Sequence, residues 1–532
     1  MQFFKSARTA RPQQIAAWCG GALATLFAIG TGALAQAPMP DAVPQASVSG
    51  LANAGLPNLG DSSEMSPAAE RQLGDRIARE LYRDPDYVDD PVIQEYVDRI
   101  WQALIASARA RGELPDTLYN AFAWEILTGR DRTVNAFALP GGYFGLHLGL
   151  LAIVATPDEL ASVLAHELSH VTQRHISRSM SRQNDQAPWV LGAMVLGLLA
   201  ASKNVAGGEA VMIGGQAAAV QTQLNYSRGM EREADRIGFN VSTQAGYSGV
   251  GFVSMFEKLQ QSSRLNDAGG FPYLRTHPLT TERMADMQAR VHQLPADPLA
   301  NQPAPEHAMV AARARLLSAA DVDSLRLWLQ QAAPAHLRQQ APTAQLGILY
   351  GATLAALRLH DAAKATALLQ QLQQRPLQGR AQRLVQLLAI ELALAEGSAA
   401  HAVALSQGQD LQQRASLFAW AQANMRDDQS DHARAVEEQL RVWLADHGRD
   451  AAVWQLLAQV HQTLGQPIAA IRDAAEVDVA HCDYSAALAR LQAARDLIAR
   501  TGATADPFDA AIVETRSRQI GEVLKAQLQA RP

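Results

Sequence analysis

Two histidines and a glutamate near the middle of the chain have the types and spacing of a metal-dependent hydrolase. Residues 166–170 read His-Glu-Leu-Ser-His, an HExxH motif. On a helix, which turns about 100° per residue, His166 and His170 share a flank, so both imidazoles can bind one metal ion while Glu167 faces the same cavity. A catalytic zinc keeps a position for a water whose pKa falls to about 7. Glu167 would take the proton of that water and pass it to the leaving amine. The alternative is a pair of structural histidines on an amphipathic helix.

A zinc site of this kind needs a third ligand, and a second predicted helix further along the chain offers one. Glu231 and Asp235 are four positions apart and share a helix face, from which Glu233 points away. Two neighbouring carboxylates repel each other, which is tolerated when one binds the metal and the other accepts a proton from a ligating histidine. The alternative is a solvated charged face in which Arg232 and Arg236 pair with their neighbours.

A capping sequence predicts where the helix that carries the HExxH motif begins. Thr156 is a threonine cap, Pro157 suits the first helical position, and Glu159 stands three residues after the cap. Leu160 and Leu164 then begin a buried apolar stripe.

The elements predicted ahead of this helix are two helices and a β-hairpin. Ser66 and Pro67 form a cap and a first-turn proline, and a second helix is predicted over 91–110. The stretches 119–127 and 134–148 have strand-like composition and are separated by a Thr-Gly-Arg-Asp turn.

The C-terminal half differs in composition. Residues 295–307 contain four prolines and predict a domain linker. Beyond them, helices of about 12 to 16 residues rich in Ala, Leu and Gln alternate with glycine breaks, which favours an α-solenoid over 308–532. The best tetratricopeptide-like unit begins at Trp454. The alternative is a helical bundle without a binding role.

The N-terminus predicts export. Residues 1–35 carry three basic residues and no acidic one, then an apolar run that ends in Ala-Leu-Ala, as in a secretory signal peptide cleaved near Ala35. The alternative is an uncleaved membrane anchor. A flexible leader is predicted over 36–61. The folded part of the chain is predicted to begin near Ser66.

The amino-acid composition excludes several classes of protein and of partner. The chain has 532 residues, of which 48% are hydrophobic, so wholesale disorder is excluded, and its net charge of -6 argues against nucleic acid as the main partner. After cleavage Cys482 is the sole cysteine, which excludes an intramolecular disulfide and predicts a buried thiol. The apolar stretch 189–201 is too short to span a bilayer, so a buried helical hairpin is favoured over membrane contact.

Four segments together resemble the HtpX-like and CAAX-prenyl-protease-like zinc endopeptidases, in their exported form. The segments are NAFALPGG at 135–142, HELSHVTQRH at 166–175, E-x-E-A-D at 231–235 and Thr-His-Pro at 276–278. The resemblance implies an α+β zincin-type domain over 62–294, mostly helical with a small sheet, followed by an all-α tetratricopeptide-repeat solenoid.

The resemblance also implies roles for particular residues. One Zn²⁺ per chain would bind His166, His170 and Glu231, with Glu167 as general base and Asp235 as an outer partner or proton donor. An edge strand would receive the substrate peptide in extended form; it comprises Ala136, Phe137, Ala138, Leu139 and Pro140.

Two further histidines each have two possible roles. The resemblance implies that His277 can take the fourth position on zinc and hold the enzyme latent, whereas in broader relatives a similar His-Pro lies in a loop. His175 is either a surface residue or a residue behind the metal ligands.

The function that the resemblance implies is a periplasmic zinc endopeptidase that cleaves unfolded or misassembled outer-membrane β-barrel proteins. Its repeat domain would recruit clients or the outer-membrane β-barrel assembly machinery, with no nucleic acid and at most peripheral membrane contact. The alternatives are a repeat-based chaperone or scaffold with latched or minor proteolysis, and a non-peptidase metal hydrolase.

Overall fold

The computed structural model describes most of the chain after its N-terminal segment. The described residues are 65–181, 227–265, 271–295, 300–426, 430–501 and 507–529. The predicted signal peptide (1–35), the leader (36–61) and the apolar stretch 189–201 lie outside these residues. None of the helices described is long and apolar enough to cross a membrane.

The first two helices begin where the sequence predicts. Helix α1 spans Pro67–Tyr82, and the Ser66 hydroxyl accepts the backbone N–H of Ala69 at 3.3 Å. Helix α2 spans Pro91–Ala110 and is capped in the same way by Asp90. These predicted starts are confirmed.

The sheet has three strands, and its topology differs from the predicted hairpin. Strands β1 (Glu125–Gly129), β2 (Ala136–Leu139) and β3 (Tyr143–His147) lie in the order β1-β3-β2, with β3 parallel to β1 and antiparallel to β2. The hairpin prediction is wrong because Gly141 and Gly142 adopt left-handed φ values of 73° and 78° and split the predicted second strand in two.

A short helix replaces the first part of the other predicted strand. Helix α3 spans Asp116–Ala121, directly after Pro115, whose fixed φ suits a helix start. The strand therefore begins only at Glu125.

The HExxH motif lies in α5, which follows the short helix α4 (Leu148–Ile153) and spans Pro157–Thr172. The predicted cap is confirmed, since the Thr156 hydroxyl accepts the Glu159 backbone N–H at 3.2 Å. The Glu159 carboxylate reaches back to the N–H of Ala155 at 2.6 Å. Both contacts satisfy donors that a helix start leaves unpaired.

The helix that carries Glu231 packs against α5 through close backbone contact. The helices after α5 are α6 (His175–Ser181), α7 (Arg228–Gln244), α8 (Val250–Leu265), α9 (Tyr273–Thr276) and α10 (Thr281–His292). Helices α7 and α8 both pack on α5. A side chain at Gly238 would place its Cβ only 3.0 Å from the backbone of Ala165, so the glycine allows this approach.

The rest of the described chain is helical. The helices are α11 (Pro305–Ser318), α12 (Val322–Gln331), α13 (Pro334–Leu337), α14 (Pro342–Arg358), α15 (Ala362–Gln373), α16 (Gly379–Ala395), α17 (Ala399–Ser406), α18 (Arg414–Arg426), α19 (Ser430–Asp446), α20 (Ala451–Thr463), α21 (Pro467–Ala480), α22 (Tyr484–Thr501) and α23 (Pro507–Gln529). Gly397, Gly408 and Gly465 have left-handed φ values near helix ends, as the predicted breaks require. The repeat assignment stays a prediction.

The C-terminal helices pack directly on the domain that carries the motif. One cluster of buried apolar side chains runs from Val92 to Ala415. Arg414, in α18, bridges Asp89 at 2.7 Å and Asp450 at 2.8 Å. The helix-rich architecture with a small sheet, followed by further helices, is thus as predicted.

The thiol of Cys482 lies where these two parts meet. Cys482 is 2% exposed, and its Sγ is 3.4 Å from the hydroxyl of Tyr143. Burial raises the pKa of Cys482 to about 11, so the thiol is protonated at neutral pH. The predicted burial is confirmed.

Candidate metal centre

Helices α5 and α7 bring together the three ligands that the sequence predicts. His166 Nε2 lies 3.0 Å from His170 Nε2 and 3.6 Å from Glu231 Oε2. His170 Nε2 lies 3.4 Å from Glu231 Oε1. All three side chains are buried.

His277, which follows α9, completes the cluster. Its Nδ1 lies 3.3 Å from His166 Nε2 and 3.0 Å from Glu231 Oε1, while its Nε2 lies 3.4 Å from Glu167 Oε1. The ring of Tyr273 stacks on the His277 imidazole with centroids 4.7 Å apart. The loop therefore places one imidazole between the ligand cluster and the predicted general base.

The donor set and its spacing fit a zinc ion. One ligand atom from each of His166, His170, Glu231 and His277 lies within 4.8 Å of the other three. Four ligands about 2.0 to 2.1 Å from zinc in tetrahedral geometry lie about 3.3 Å apart, close to the separations above. In addition, within the described part of the chain no hydrogen bond of good geometry reaches either carboxylate oxygen of Glu167, although both are buried, as expected of a group that works on a bound water.

The protonation states suit metal binding. Burial lowers the pKa of His170 well below its ordinary value, which keeps the imidazole neutral, as a ligand must be. Burial works to raise the pKa of Glu231, but the charge of His277 and hydrogen bonds from His170 and His277 bring it well below its ordinary value. Burial raises the pKa of Glu167.

Asp235 lies behind the first ligand rather than in the cluster. Its Oδ1 is 2.9 Å from His166 Nδ1. Arg283, in α10, donates to both Asp235 oxygens at 2.6 and 2.8 Å and lies 2.7 Å from Glu231 Oε2. Although burial works to raise the pKa of Asp235, these Arg283 bonds lower it. Sequence reasoning missed Arg283, because no local pattern links it to residues some 50 positions earlier.

His175 is buried behind the second ligand and is not a surface residue. Its Nδ1 lies 2.9 Å from His170 Nδ1, and its Nε2 lies 3.1 Å from Glu233 Oε2. Glu233 faces away from the ligand cluster, as the sequence predicts, but it contacts His175 and Arg178.

The predicted substrate strand, β2, is at an edge of the sheet; within the described residues only β3 pairs with it. The carbonyl of Asn135 accepts the N–H of His147 from β3 at 3.0 Å. Because peptide groups alternate along an antiparallel strand, those of Ala136 and Ala138 point to the outer edge. Val134 belongs to this outward row, and its carbonyl accepts the N–H of Tyr273 at 3.3 Å.

Comparison with known proteins agrees with this centre. The model of Peptidase family M48 matches residues 91–291, which include all four clustered side chains. Residues 91–291 are an M48 peptidase domain. The predicted resemblance to metalloendopeptidases is confirmed, whereas the predicted domain bounds 62–294 and the identity of the metal stay predictions.

Relatives of the M48 domain include named β-barrel assembly-enhancing proteases. The chain is 34% identical over 322 residues to the putative β-barrel assembly-enhancing protease of Vibrio cholerae, covering 60% of this chain and 63% of that protein. It is 35% identical over 243 residues to the Escherichia coli K12 protein, covering 45% and 47%. The mitochondrial metalloendopeptidase OMA1 of Saccharomyces cerevisiae is 29% identical over 197 residues, covering 36% and 54%. The matches thus span between about half and two thirds of these relatives.

Proposed function

We propose that this chain is a periplasmic zinc metalloendopeptidase of outer-membrane protein quality control. The observation that carries the proposal is the convergence of His166, His170 and Glu231 on one point, with Glu167 beside it. The proposal is also supported by the M48 match over residues 91–291 and by 35% identity over 243 residues to the β-barrel assembly-enhancing protease of Escherichia coli K12. Localisation in the periplasm is supported by the sequence of residues 1–35, which predicts export.

In the proposed mechanism, His166, His170 and Glu231 hold one zinc ion. Bound zinc would supply the Lewis acidity that lowers the pKa of a water. Glu167 accepts the proton of the attacking water and delivers it to the leaving amine. Its raised pKa favours this transient protonation. Asp235 would act as an outer partner, since its Oδ1 lies 2.9 Å from His166 Nδ1 and so favours Nε2 as the atom that binds the metal.

The substrate would bind as an added strand along β2, from Ala136 to Leu139. Pro140, which the sequence places at the end of this strand, lies just beyond it at the start of a short 3-10 turn. The outward peptide groups of Ala136 and Ala138 can pair with any extended backbone, which makes recognition independent of sequence. A folded barrel has its strand edges paired, whereas a misassembled barrel presents unpaired extended segments. This preference for exposed extended chain supports misassembled β-barrel proteins as the substrate class.

We also propose that His277 is a latch. As a further ligand through Nδ1, His277 would exclude the water, and its Nε2 lies 3.4 Å from Glu167 Oε1. The same segment donates from Tyr273 N to Val134 O, in the outward row of the substrate strand. The latch thus competes with both water and substrate.

The helices from α11 onward would serve as a tetratricopeptide-like array that recruits clients or the assembly machinery. Their contacts with the M48 domain, such as Arg383 with Glu95, support a fixed position near the site. The alternative is a repeat-based chaperone or scaffold in which proteolysis is latched or minor. The burial of the metal cluster favours this alternative.

Replacing Glu167 by glutamine in cells separates the two functions. The protease predicts loss of client cleavage together with loss of protection against envelope stress, while the protein level stays normal. Protection that persists without cleavage would establish the scaffold and overturn the protease as the main activity.

A further inference from the structure

The chain turns back sharply after α5, and the turn brings a third histidine to the metal ligands. Arg174 adopts a left-handed φ of 52°, so α6 starts immediately with His175. His175 is 0% exposed, and its ring meets that of His170 at 75° with centroids 4.9 Å apart. The shortest contact joins the two Nδ1 atoms at 2.9 Å.

The direction of the hydrogen bonds follows from the geometry. When Nε2 of His170 binds the metal, the neutral imidazole carries its proton on Nδ1, from which it can donate to Nδ1 of His175. His175 then carries its own proton on Nε2 and donates it to Glu233 Oε2 at 3.1 Å. Arg178 holds the same carboxylate oxygen at 3.1 Å from the solvent side.

We propose that His175 and Glu233 form a positioning pair for the zinc ligand His170. The chain of hydrogen bonds orients the His170 ring, selects its tautomer and increases its basicity towards the metal, as outer partners of metal-bound histidines do. His166 receives the same support directly from Asp235. The inference rests on the zinc site proposed above.

This pair gives a role to each acidic residue of the E-x-E-A-D segment. Glu231 reaches the ligand cluster, Asp235 supports His166, and Glu233, between them in sequence, supports His170 through His175. Because residue 233 lies on another side of α7, it needs His175 as an intermediary to act on the site.

The test is the zinc affinity of the metal-free full chain, measured by competition with a chromophoric chelator. Glu233→Gln keeps the shape of the side chain and removes its charge, and we expect zinc affinity to fall about tenfold. His175→Ala leaves the Nδ1–H of His170 without its acceptor, and we expect a loss of 10- to 100-fold. His175→Asn can retain an acceptor for His170 and should fall between His175→Ala and wild type.

Arg178→Gln is the matched control, since it removes the Arg178–Glu233 ion pair but leaves the carboxylate on His175; its zinc affinity should stay within twofold of wild type. The visible absorption of the Co²⁺-loaded chain gives a second readout, because an altered His170 ligand changes the cobalt bands. Melting of the metal-free protein should be the same for Glu233→Gln and Arg178→Gln, so a general loss of folding cannot produce the expected pattern.

Zinc affinities of Glu233→Gln and His175→Ala within twofold of wild type, with unchanged cobalt bands, would overturn the inference and leave the proposed protease intact. Equal losses in Glu233→Gln and Arg178→Gln would also overturn it, since the ion pair alone would then explain them. A wild-type chain that binds no zinc would overturn both proposals. The expected loss of affinity in a chain without proteolysis would support the pair while refuting the proposed activity.

Discussion

Replacing His277 by alanine should raise proteolytic activity, and the structure allows the size of the increase to be worked out. The variant removes a buried contact of 3.4 Å between His277 Nε2 and Glu167 Oε1, in addition to the contacts of Nδ1 with the metal ligands. A close buried charge pair of this kind contributes about 1.5 to 3 kcal/mol, the lower part of the range measured for such pairs. Loss of that contact alone shifts the balance between latched and open forms about 10- to 150-fold, at about 1.4 kcal/mol per factor of ten.

The assay is kcat/KM for cleavage of an unfolded β-barrel protein by the zinc-loaded chain. We expect at least a tenfold increase in His277→Ala, and no change in the control His292→Ala, which removes an exposed histidine after the same segment. The double variant with Glu167→Gln should be inactive, which ties the gain to the same site. Unchanged or lower activity in His277→Ala, with one zinc still bound and the same melting temperature, would refute the latch.

Three further predictions concern the support of the site and the packing of the C-terminal helices. Arg283→Met removes the partner of two buried carboxylates, so zinc affinity, measured by chelator competition, should fall 10- to 100-fold; a change below twofold would contradict this role. Arg414→Ala leaves two carboxylates without their buried bridge and should lower the free energy of unfolding in urea by about 3 to 5 kcal/mol, whereas Arg434→Ala, in an exposed pair, should change it by less than about 1 kcal/mol. Burial lowers the pKa of His307 from 6.5 to about 4, so only the unfolded chain takes up this proton between those values, and stability falls by about 2 kcal/mol from pH 7 to pH 5. His307→Gln should remove that part of the pH dependence and His292→Gln should not; equal slopes in both variants would exclude His307 as the cause.

Features encoded within one helix could be predicted from the sequence. The start of α5 depends on Thr156 and Glu159, three residues apart, and the adjacent placement of His166 and His170 depends only on helix geometry. The carboxylate at position 231 could be proposed as a ligand because its spacing from Asp235 puts both on one face of α7.

Features that depend on packing between distant segments could not be predicted. Arg283 reaches Asp235 only because α10 folds back onto α7, and His175 reaches His170 only through the left-handed turn at Arg174. The predicted order of the strands was wrong for a local reason. Gly141 reverses the chain where the composition predicts one continuous strand.

The most direct test of zinc-dependent proteolysis combines metal analysis with cleavage by the purified full chain and its Glu167→Gln variant. We expect one zinc per chain in both proteins, because Glu167 is beside the metal and not a ligand, with cleavage of an unfolded β-barrel protein by wild type only. Wild-type protein without zinc, or a Glu167→Gln variant that cleaves as fast as wild type, would refute zinc-dependent proteolysis with Glu167 as general base.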